Sequence, residues 1–148
     1  FKAFFAFVFP VVVVYALVPA AYRFLLPIDW LDHEWIGWCG VVLLVFSLGW
    51  TIIAQGQMGD SWRIGVDSEH QTALVQGGLF NVSRNPIFVG MMVTLLGLFL
   101  VIPNAMTLLT LVLGSVLMGI QVRLEEEHLK KAQGKAYEEY CQKVRRWI

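Results

Sequence analysis

Residues 105–122 read AMTLLTLVLGSVLMGIQV, and residues 123–127, which follow directly, read RLEEE. The first stretch carries no charge and is close to the ~20 residues with which a helix crosses the ~30 Å apolar core of a bilayer. Charged side chains are costly next to lipid. The abrupt change predicts a membrane-spanning helix over 105–122, whose charged end is either a plain membrane exit or part of a ligand site.

Composition also favours a membrane protein. The 148 residues are 57% hydrophobic and 15% charged, whereas soluble domains carry about 25% charged residues. The length predicts a single domain over 1–148. A net charge of zero argues against a nucleic-acid partner. The two cysteines, Cys39 and Cys141, lie in unlike surroundings and suggest no disulfide framework.

The chain contains four apolar runs long enough to be spans, at about residues 4–26, 35–53, 86–102 and 105–122. The first contains Pro10 and Pro19, which kink or interrupt a helix, and it lacks a cleavage pattern, so we expect it to be retained. Only Pro103 and Asn104 separate the last two runs, which predicts a helical hairpin. The predicted fold class is an all-α integral membrane bundle of about four transmembrane helices with a cytosolic C-terminal helix.

Basic residues are distributed unevenly among the connections. The first connection, residues 27–34, carries three acidic residues but no Lys or Arg, whereas the tail, residues 123–148, carries most of the Lys and Arg. Cytoplasmic loops of membrane proteins are enriched in Lys and Arg. We therefore expect the tail and the connection over 54–84 on the cytoplasmic side, together with the active site.

Polar residues gather at the cytoplasmic ends of the last two spans: Arg84 and Asn85 at the start of the third, and Gln121, Arg123, Glu125 and Glu126 at the end of the fourth. The hairpin brings these two ends together. Gln121 and Glu125 are four residues apart and share one helical face. A carboxylate there suits a cation, and backbone N–H groups at a helix start suit an anion. The set therefore predicts a zwitterionic ligand with a cationic centre.

Motifs of several other functional classes are absent from the sequence. It has no glycine-rich phosphate loop and no strand–GxGxxG–helix unit of a dinucleotide-binding domain. The three histidines (His33, His70 and His128) do not form metal-ligand spacings with the cysteines, so no metal site is predicted.

Three segments then occur in a specific order: LVQGGLF over 74–80, SRNPIFVG over 83–90 and RLEEEHL over 123–129. They are followed by Gly134, Tyr137, Tyr140 and VRRWI over 144–148. In this order and spacing, the chain from about residue 65 onward resembles the isoprenylcysteine carboxyl methyltransferase family of membrane methyltransferases and their phospholipid N-methyltransferase relatives.

The resemblance implies S-adenosyl-L-methionine as methyl donor, held at the cytosolic ends of the last spans. The residues that it places around this cofactor are Thr72, Ala73, Leu74, Val75, Phe80, Arg84, Asn85, Pro86, Ile87, Phe88 and Glu125. We assign the reaction itself to Gln121, Arg123 and Glu126. Gln121 lies on the acceptor side, and Glu126 would take the proton that a thiol or amine acceptor releases.

The sequence departs from the family pattern at several positions. In the RHPxY form of the motif, Asn85 and Phe88 replace the His and the Tyr, and Thr72 stands where a His is expected. Gln121 stands where the prenylcysteine enzymes carry an arginine associated with the substrate. Glutamine lacks the cationic fork that pairs with a carboxylate. A carboxylate acceptor therefore requires Arg123 to take that role.

Three functions stay open on the sequence alone. The first is a membrane methyltransferase whose lipid-like or small hydrophobic acceptor arrives from the lipid bilayer, with a carboxylate, thiol or amine as the methylated group. The second is a sterol-reductase-like enzyme with a nicotinamide cofactor, and the third is a non-catalytic membrane subunit. The small number of spans and the Arg123-x-Glu125-Glu126 motif favour the first.

Overall fold

A computed structural model describes residues 9–10, 12–15, 17, 22–59 and 74–148. Among these residues, four α-helices can be followed from end to end, α1 Glu34–Met58, α2 Pro86–Val101, α3 Ala105–Gln133 and α4 Lys135–Lys143, and residues 9–10, 12–15 and 17 are helical as well. Short 3-10 turns lie at Arg23–Leu25, Asp29–Leu31 and Gly78–Asn81. The described residues contain one isolated β-bridge, between Pro27 and Asn104, and no strand. The all-α prediction is confirmed.

Two helices, α1 with 25 residues and α3 with 29, are long and apolar enough to cross a membrane. At 1.5 Å per residue, they extend about 37 Å and about 43 Å, beyond the ~30 Å of a bilayer core. Helix α2 has 16 residues and is shorter, at about 24 Å. The predicted span over 4–26 is described only in part, at residues 9–10, 12–15, 17 and 22–26, of which 9–10, 12–15 and 17 are helical. The part of the chain that the structure describes thus contains two membrane-length helices, and a bundle of four spans stays a prediction.

Much of the apolar surface of α1 is exposed. Large side chains that stand more than half exposed along this helix are Trp35, Trp38, Val42, Val45, Phe46, Leu48, Ile52 and Ile53. Exposed apolar patches of this extent are unusual on soluble proteins. Lipid chains are the environment that suits such a surface.

Two predicted boundaries mark a change of composition and not a helix end. The predicted span over 35–53 continues as α1 to Met58, because the next residues contain no proline, and α1 stops before Gly59 at φ +51°. Helix α3 runs from its apolar part through the charged residues to Gln133 without interruption. Gly134 separates α3 from α4, and its φ of +54° is a backbone conformation that favours glycine.

The chain forms two compact units. The first comprises Phe1–Ser47 and Met92–Leu117. In it, a Cβ atom on Gly40 would lie 2.7 Å from the carbonyl oxygen of Gly97, so only glycine permits this close approach of two helices. Thr94 Oγ1 donates to Ser47 Oγ at 2.9 Å. Small residues and hydroxyl bonds of this kind commonly hold membrane helices together.

The start of α3 is fixed by Asn104, which is fully buried in the first unit. Its Oδ1 atom accepts the backbone N–H groups of Met106 and Thr107, both at 2.9 Å. These are N-cap bonds, which satisfy amide groups that have no partner within the helix. The tight turn predicted between the last two apolar runs is therefore a capped helix start.

The second unit comprises Leu48–Met91 and Met118–Ile148, and it contains every predicted site residue that the structure describes. Its core includes a cluster formed by Tyr137, Tyr140 and Val144, packed against Leu74, Leu129 and Cys141. Helix α4 thereby covers the loop that precedes α2.

Candidate functional site

Glu126 lies on the buried face of α3, one turn after the fully buried Val122. Only 5% of Glu126 is exposed. An ionised carboxylate in such surroundings is stable only when cations and hydrogen-bond donors compensate for the lost water. The stability of this ionised carboxylate therefore depends on the groups that surround it.

Two arginines and an amide surround this carboxylate. Arg146 binds it as a fork, with Nε 3.1 Å from both oxygens and Nη2 2.7 Å from Oε2. Arg84 Nη2 lies 3.1 Å from Oε1, and Asn85 Nδ2 donates to the same oxygen at 3.4 Å. The arrangement saturates the carboxylate and favours its ionised form. It gives no support to the predicted role of Glu126 as a proton acceptor, and it favours an anchoring role instead.

The chain after α4 also binds the segment 83–85 through its main chain. The carbonyl oxygen of Arg145 accepts the backbone N–H of Arg84 at 2.9 Å. The carbonyl oxygen of Arg146 accepts Ser83 Oγ at 3.3 Å and Asn85 Nδ2 at 3.1 Å. The tail thus fixes both the backbone and the side chains at the start of α2.

Helix α4 holds the loop that precedes α2 through the phenol hydroxyl of Tyr140. Tyr140 donates its hydroxyl to the carbonyl oxygen of Phe80 at 2.6 Å. Burial raises the pKa of the Tyr140 phenol to about 12, so this group remains a donor across the neutral range. The neighbouring phenol of Tyr137 also has a raised pKa, chiefly because of burial and secondarily because of the negative charge of Glu126.

Of the two glycines before Phe80, the loop geometry requires glycine only at Gly78, since Gly77 has an extended backbone and open space around it. Gly78 has a φ of +61°, and a side chain there would collide with the side chain of Gln57. Gln57 Oε1 accepts the backbone N–H of Leu79 at 2.8 Å. The end of α1 therefore holds this loop in place through a hydrogen bond between residues 22 apart in the chain.

The start of α2 is tied to α1 in the second unit. Trp50 Nε1 donates to the carbonyl oxygen of Pro86 at 2.8 Å. Pro86 is the first residue of α2, a position where the missing N–H costs nothing. Gly90 has no room for a side chain because a Cβ atom would overlap Thr51. These contacts hold the first turn of α2 in a fixed position.

All of the predicted cofactor residues that the structure describes belong to the second unit. Those that are buried are Phe80, Asn85, Pro86 and Phe88, and those that are partly buried are Leu74, Val75, Arg84, Ile87 and Glu125. Thr72 and Ala73 lie outside the described residues. The predicted proximity of the two helix ends is confirmed by the bonds from Arg84 and Asn85 to Glu126.

The carboxylate of Glu125 and the Nε atom of Arg84 lack hydrogen-bond partners among the described residues. Glu125 is partly buried, and its carboxylate makes no hydrogen bond or ion pair in this part of the chain. The Nε atom of Arg84 is buried and likewise has no hydrogen-bond partner there. Such groups carry a free-energy cost until a ligand compensates them. One is an acceptor and the other a donor, which suits a zwitterionic ligand.

Gln121 and Arg123 occupy different faces of α3. Gln121 is partly buried one turn before Glu125, whereas Arg123 is exposed. Two residues correspond to about 200° of rotation around a helix, so Arg123 points away from the face of Gln121. The position therefore gives no support to Arg123 as a replacement for the arginine of the prenylcysteine enzymes.

Sequence reasoning assigned no role to Arg146. Its pairing with Glu126 joins residues twenty apart, and the sequence offers several other basic residues in the same tail. The only signal was the motif VRRWI itself, which does not say which arginine faces inward.

We expect Glu126→Gln to lower the free energy of unfolding, because it leaves the buried Arg84 guanidinium without a counterion. The expected loss is roughly 2–3 kcal/mol, less than for a fully buried pair, since the Arg146 side chain is 39% exposed. Thermal and denaturant unfolding of the protein in detergent would measure it. Glu127→Gln makes the same change at an exposed neighbour and should have little effect. Equal stability of the two variants would contradict the anchoring role.

Comparison with known proteins adds a family to this geometry. The family model for phospholipid methyltransferase matches residues 35–136. No curated protein and no solved structure was found to match the chain. The matched residues include α1 except Glu34, all of α2 and α3, and both partners of the Arg84–Glu126 ion pair, whereas Arg146 lies beyond the match. Because the match covers more than half of the chain, the protein belongs to the phospholipid methyltransferase family.

Proposed function

We propose that this protein is a membrane methyltransferase that uses S-adenosyl-L-methionine to methylate a lipid-like or small hydrophobic acceptor. The observation that carries the proposal is the family match over α1, α2 and α3. The two membrane-length helices support the membrane setting. The uncompensated donor and acceptor beside Glu126 support a ligand site at the start of α2.

The residues present fit this cofactor by their chemistry. Its amino-acid portion carries an ammonium and a carboxylate, and its sulfur is a sulfonium cation. Glu125 offers an unpaired carboxylate for a cationic group, and the Nε atom of Arg84 offers an unpaired donor for an anionic one. Phe80 and Phe88 supply apolar aromatic surface close to the same segment. Each requirement of the molecule therefore has a counterpart in the second unit.

When bound, the donor supplies a methyl group that is already activated by its attachment to a positively charged sulfur. The protein's contribution is then to orient the reactants and exclude water. Segment 83–85 is well suited to orientation, because hydrogen bonds from α3 and the tail restrain it. The saturated Glu126 serves this restraint. Glu125 is the carboxylate left to interact with ligand.

The acceptor would approach along the face of Gln121. This side chain lies one turn nearer to the apolar part of α3 than Glu125 does. It is neutral, and the exposed Arg123 lies on another face. A lipid-like acceptor without a carboxylate at the reacting end suits these surroundings, because nothing on this face of α3 provides a cationic fork.

The experiment that tests the function is calorimetric titration of the purified protein with S-adenosylhomocysteine and, separately, with NADPH. We expect binding of the first alone. Binding of NADPH alone would favour a reductase, and binding of neither would contradict an enzyme that uses these cofactors.

Glu125→Gln should weaken the affinity for S-adenosylhomocysteine, because it removes the carboxylate assigned to the cationic group of the ligand. A lost charged hydrogen bond costs about 1.5–3 kcal/mol, which corresponds to roughly ten- to a hundred-fold in affinity. Glu127→Gln is the matched control at an exposed position. Unchanged affinity in a folded Glu125→Gln variant would remove Glu125 from the site.

Gln121→Arg should lower methyl transfer to acceptors in a native lipid extract while leaving donor affinity almost unchanged. The added charge would enter a partly buried position without a partner, at a cost of several kcal/mol, and turnover should fall at least about ten-fold. Transfer of radiolabelled methyl groups would measure it. Gln142→Arg, at an exposed position of α4, is the control. Efficient wild-type methylation of a prenylcysteine carboxylate would contradict this assignment.

We also propose that the tail and the site lie on the cytoplasmic side, since Lys and Arg concentrate there. Single cysteines at the exposed positions Asp32 and Glu139, after replacement of Cys39 and Cys141 by serine, provide the test. An impermeant maleimide added to sealed vesicles of known orientation should label Glu139→Cys from the cytoplasmic face and Asp32→Cys from the other. Labelling of both from one side would contradict the proposal.

A further inference from the structure

We propose that Arg146 is a positioning residue that binds both carboxylate oxygens of Glu126 and thereby keeps the Nε atom of Arg84 available to the methyl donor. The inference rests on the proposed function, because it names a further residue of the same donor site. Neither the family match, which ends at residue 136, nor the sequence motifs assign Arg146 a role.

The geometry shows an unequal division of Glu126 between two guanidinium groups. Arg146 takes both carboxylate oxygens, with Nε at 3.1 Å from each and Nη2 at 2.7 Å from Oε2. Arg84 reaches a single oxygen, Oε1, through Nη2 at 3.1 Å. Its Nε atom, although buried, has no hydrogen-bond partner among the described residues.

This division is not what Arg84 and Glu126 would adopt as an isolated pair. A guanidinium and a carboxylate favour two parallel hydrogen bonds, which would use Nε together with Nη2. The fork from Arg146 fills the oxygens that this arrangement needs. If Arg146 were lost, Arg84 would be the only cation on Glu126, and its Nε donor would turn toward the carboxylate.

The consequence concerns the ligand. With Arg146 in place, the three-residue cluster has an excess of one positive charge, and one buried donor of Arg84 remains to be satisfied. An anionic group, such as the carboxylate of the donor's amino-acid portion, meets both needs. Without Arg146, the cluster is neutral and the donor is consumed within the protein. Arg146 therefore acts on the ligand through Arg84 and without contacting it.

The role of the Arg146 side chain can be tested separately from the main-chain bonds of residues 145–146, because these bonds do not depend on that side chain. The carbonyl oxygens of Arg145 and Arg146 bind segment 83–85 in any variant that keeps the backbone. Arg145 is the adjacent residue, is exposed, and makes no side-chain hydrogen bond or ion pair among the described residues. Arg145→Gln thus changes the same charge at the neighbouring position.

The experiment is calorimetric titration with S-adenosylhomocysteine of wild type, Arg146→Gln and Arg145→Gln, with thermal unfolding as the check on folding. We expect Arg146→Gln to lower the affinity roughly ten- to a hundred-fold, the effect of one charged hydrogen bond. Arg145→Gln should bind as wild type does. Equal affinity of a folded Arg146→Gln variant and Arg145→Gln would overturn the inference.

A second comparison separates positioning from general damage. In a Glu126→Gln background there is no carboxylate that could capture the Nε donor of Arg84 when Arg146 is lost. Arg146→Gln should therefore cause less than about a two-fold further loss of affinity for S-adenosylhomocysteine. An equal loss in both backgrounds would overturn the inference. If Arg146→Gln does not fold in either background, Arg146→Lys is used in its place, since lysine keeps the charge but lacks the guanidinium fork. Its affinity should fall several-fold below that of Arg145→Lys, and equal affinities would overturn the inference.

Failure of this inference and failure of the proposed function give different results. If wild-type protein does not bind S-adenosylhomocysteine, the donor site itself is contradicted. If wild type binds and the Arg146 variants bind equally well, only the role of Arg146 is contradicted.

Discussion

The ionised Glu126, buried at the charged end of an apolar helix, is the constraint on which the second unit depends. Taking a carboxylate out of water costs several kcal/mol unless cations and donors replace the lost hydration. The donors come from Arg84 and Asn85 before α2 and from Arg146 after α4. Satisfying one charge therefore brings three separate parts of the chain together. This explains how a short helix such as α4 is kept against the loop that it covers.

The same constraint separates the roles of two neighbouring carboxylates. Glu125 and Glu126 are identical in chemistry, but successive residues lie about 100° apart around a helix. Glu126 points toward the arginines and is saturated, whereas Glu125 is partly buried and unpaired among the described residues. A saturated carboxylate anchors the framework, and an unpaired one retains the capacity to bind a cation. Helix geometry thus separates a paired carboxylate, which holds the framework, from an unpaired one, to which our proposal assigns the cationic group of the ligand.

The sequence predicts those features that depend on local chemistry. Pro86 at the start of α2, the break at Gly134 and the apolar stretch of α3 are each visible in a few consecutive residues. The meeting of Arg84 and Asn85 with Glu126 also follows from a hairpin with a short turn. The extension of α1 to Met58 is not predicted by the sequence, because polar residues end an apolar run without ending a helix. The choice of Arg146 as the partner of Glu126 depends on the path of the chain after Gly134, which no local pattern specifies.

The departures from the isoprenylcysteine carboxyl methyltransferase pattern at positions 85 and 121 have unequal consequences. At position 85 the expected histidine is replaced by asparagine, whose Nδ2 atom donates both to Glu126 and to the carbonyl oxygen of Arg146. An amide nitrogen with two hydrogens supplies both donors, so the asparagine takes part in the framework around Glu126. At position 121 a cation is replaced by a neutral amide, and no described arginine takes its place, since Arg84 and Arg146 are bound to Glu126 and Arg123 is exposed. The first change keeps a hydrogen-bond donor beside Glu126. The second alters what the proposed acceptor would meet, and it is therefore on the Gln121 side of α3 that the substrate of this protein should differ from a prenylcysteine carboxylate.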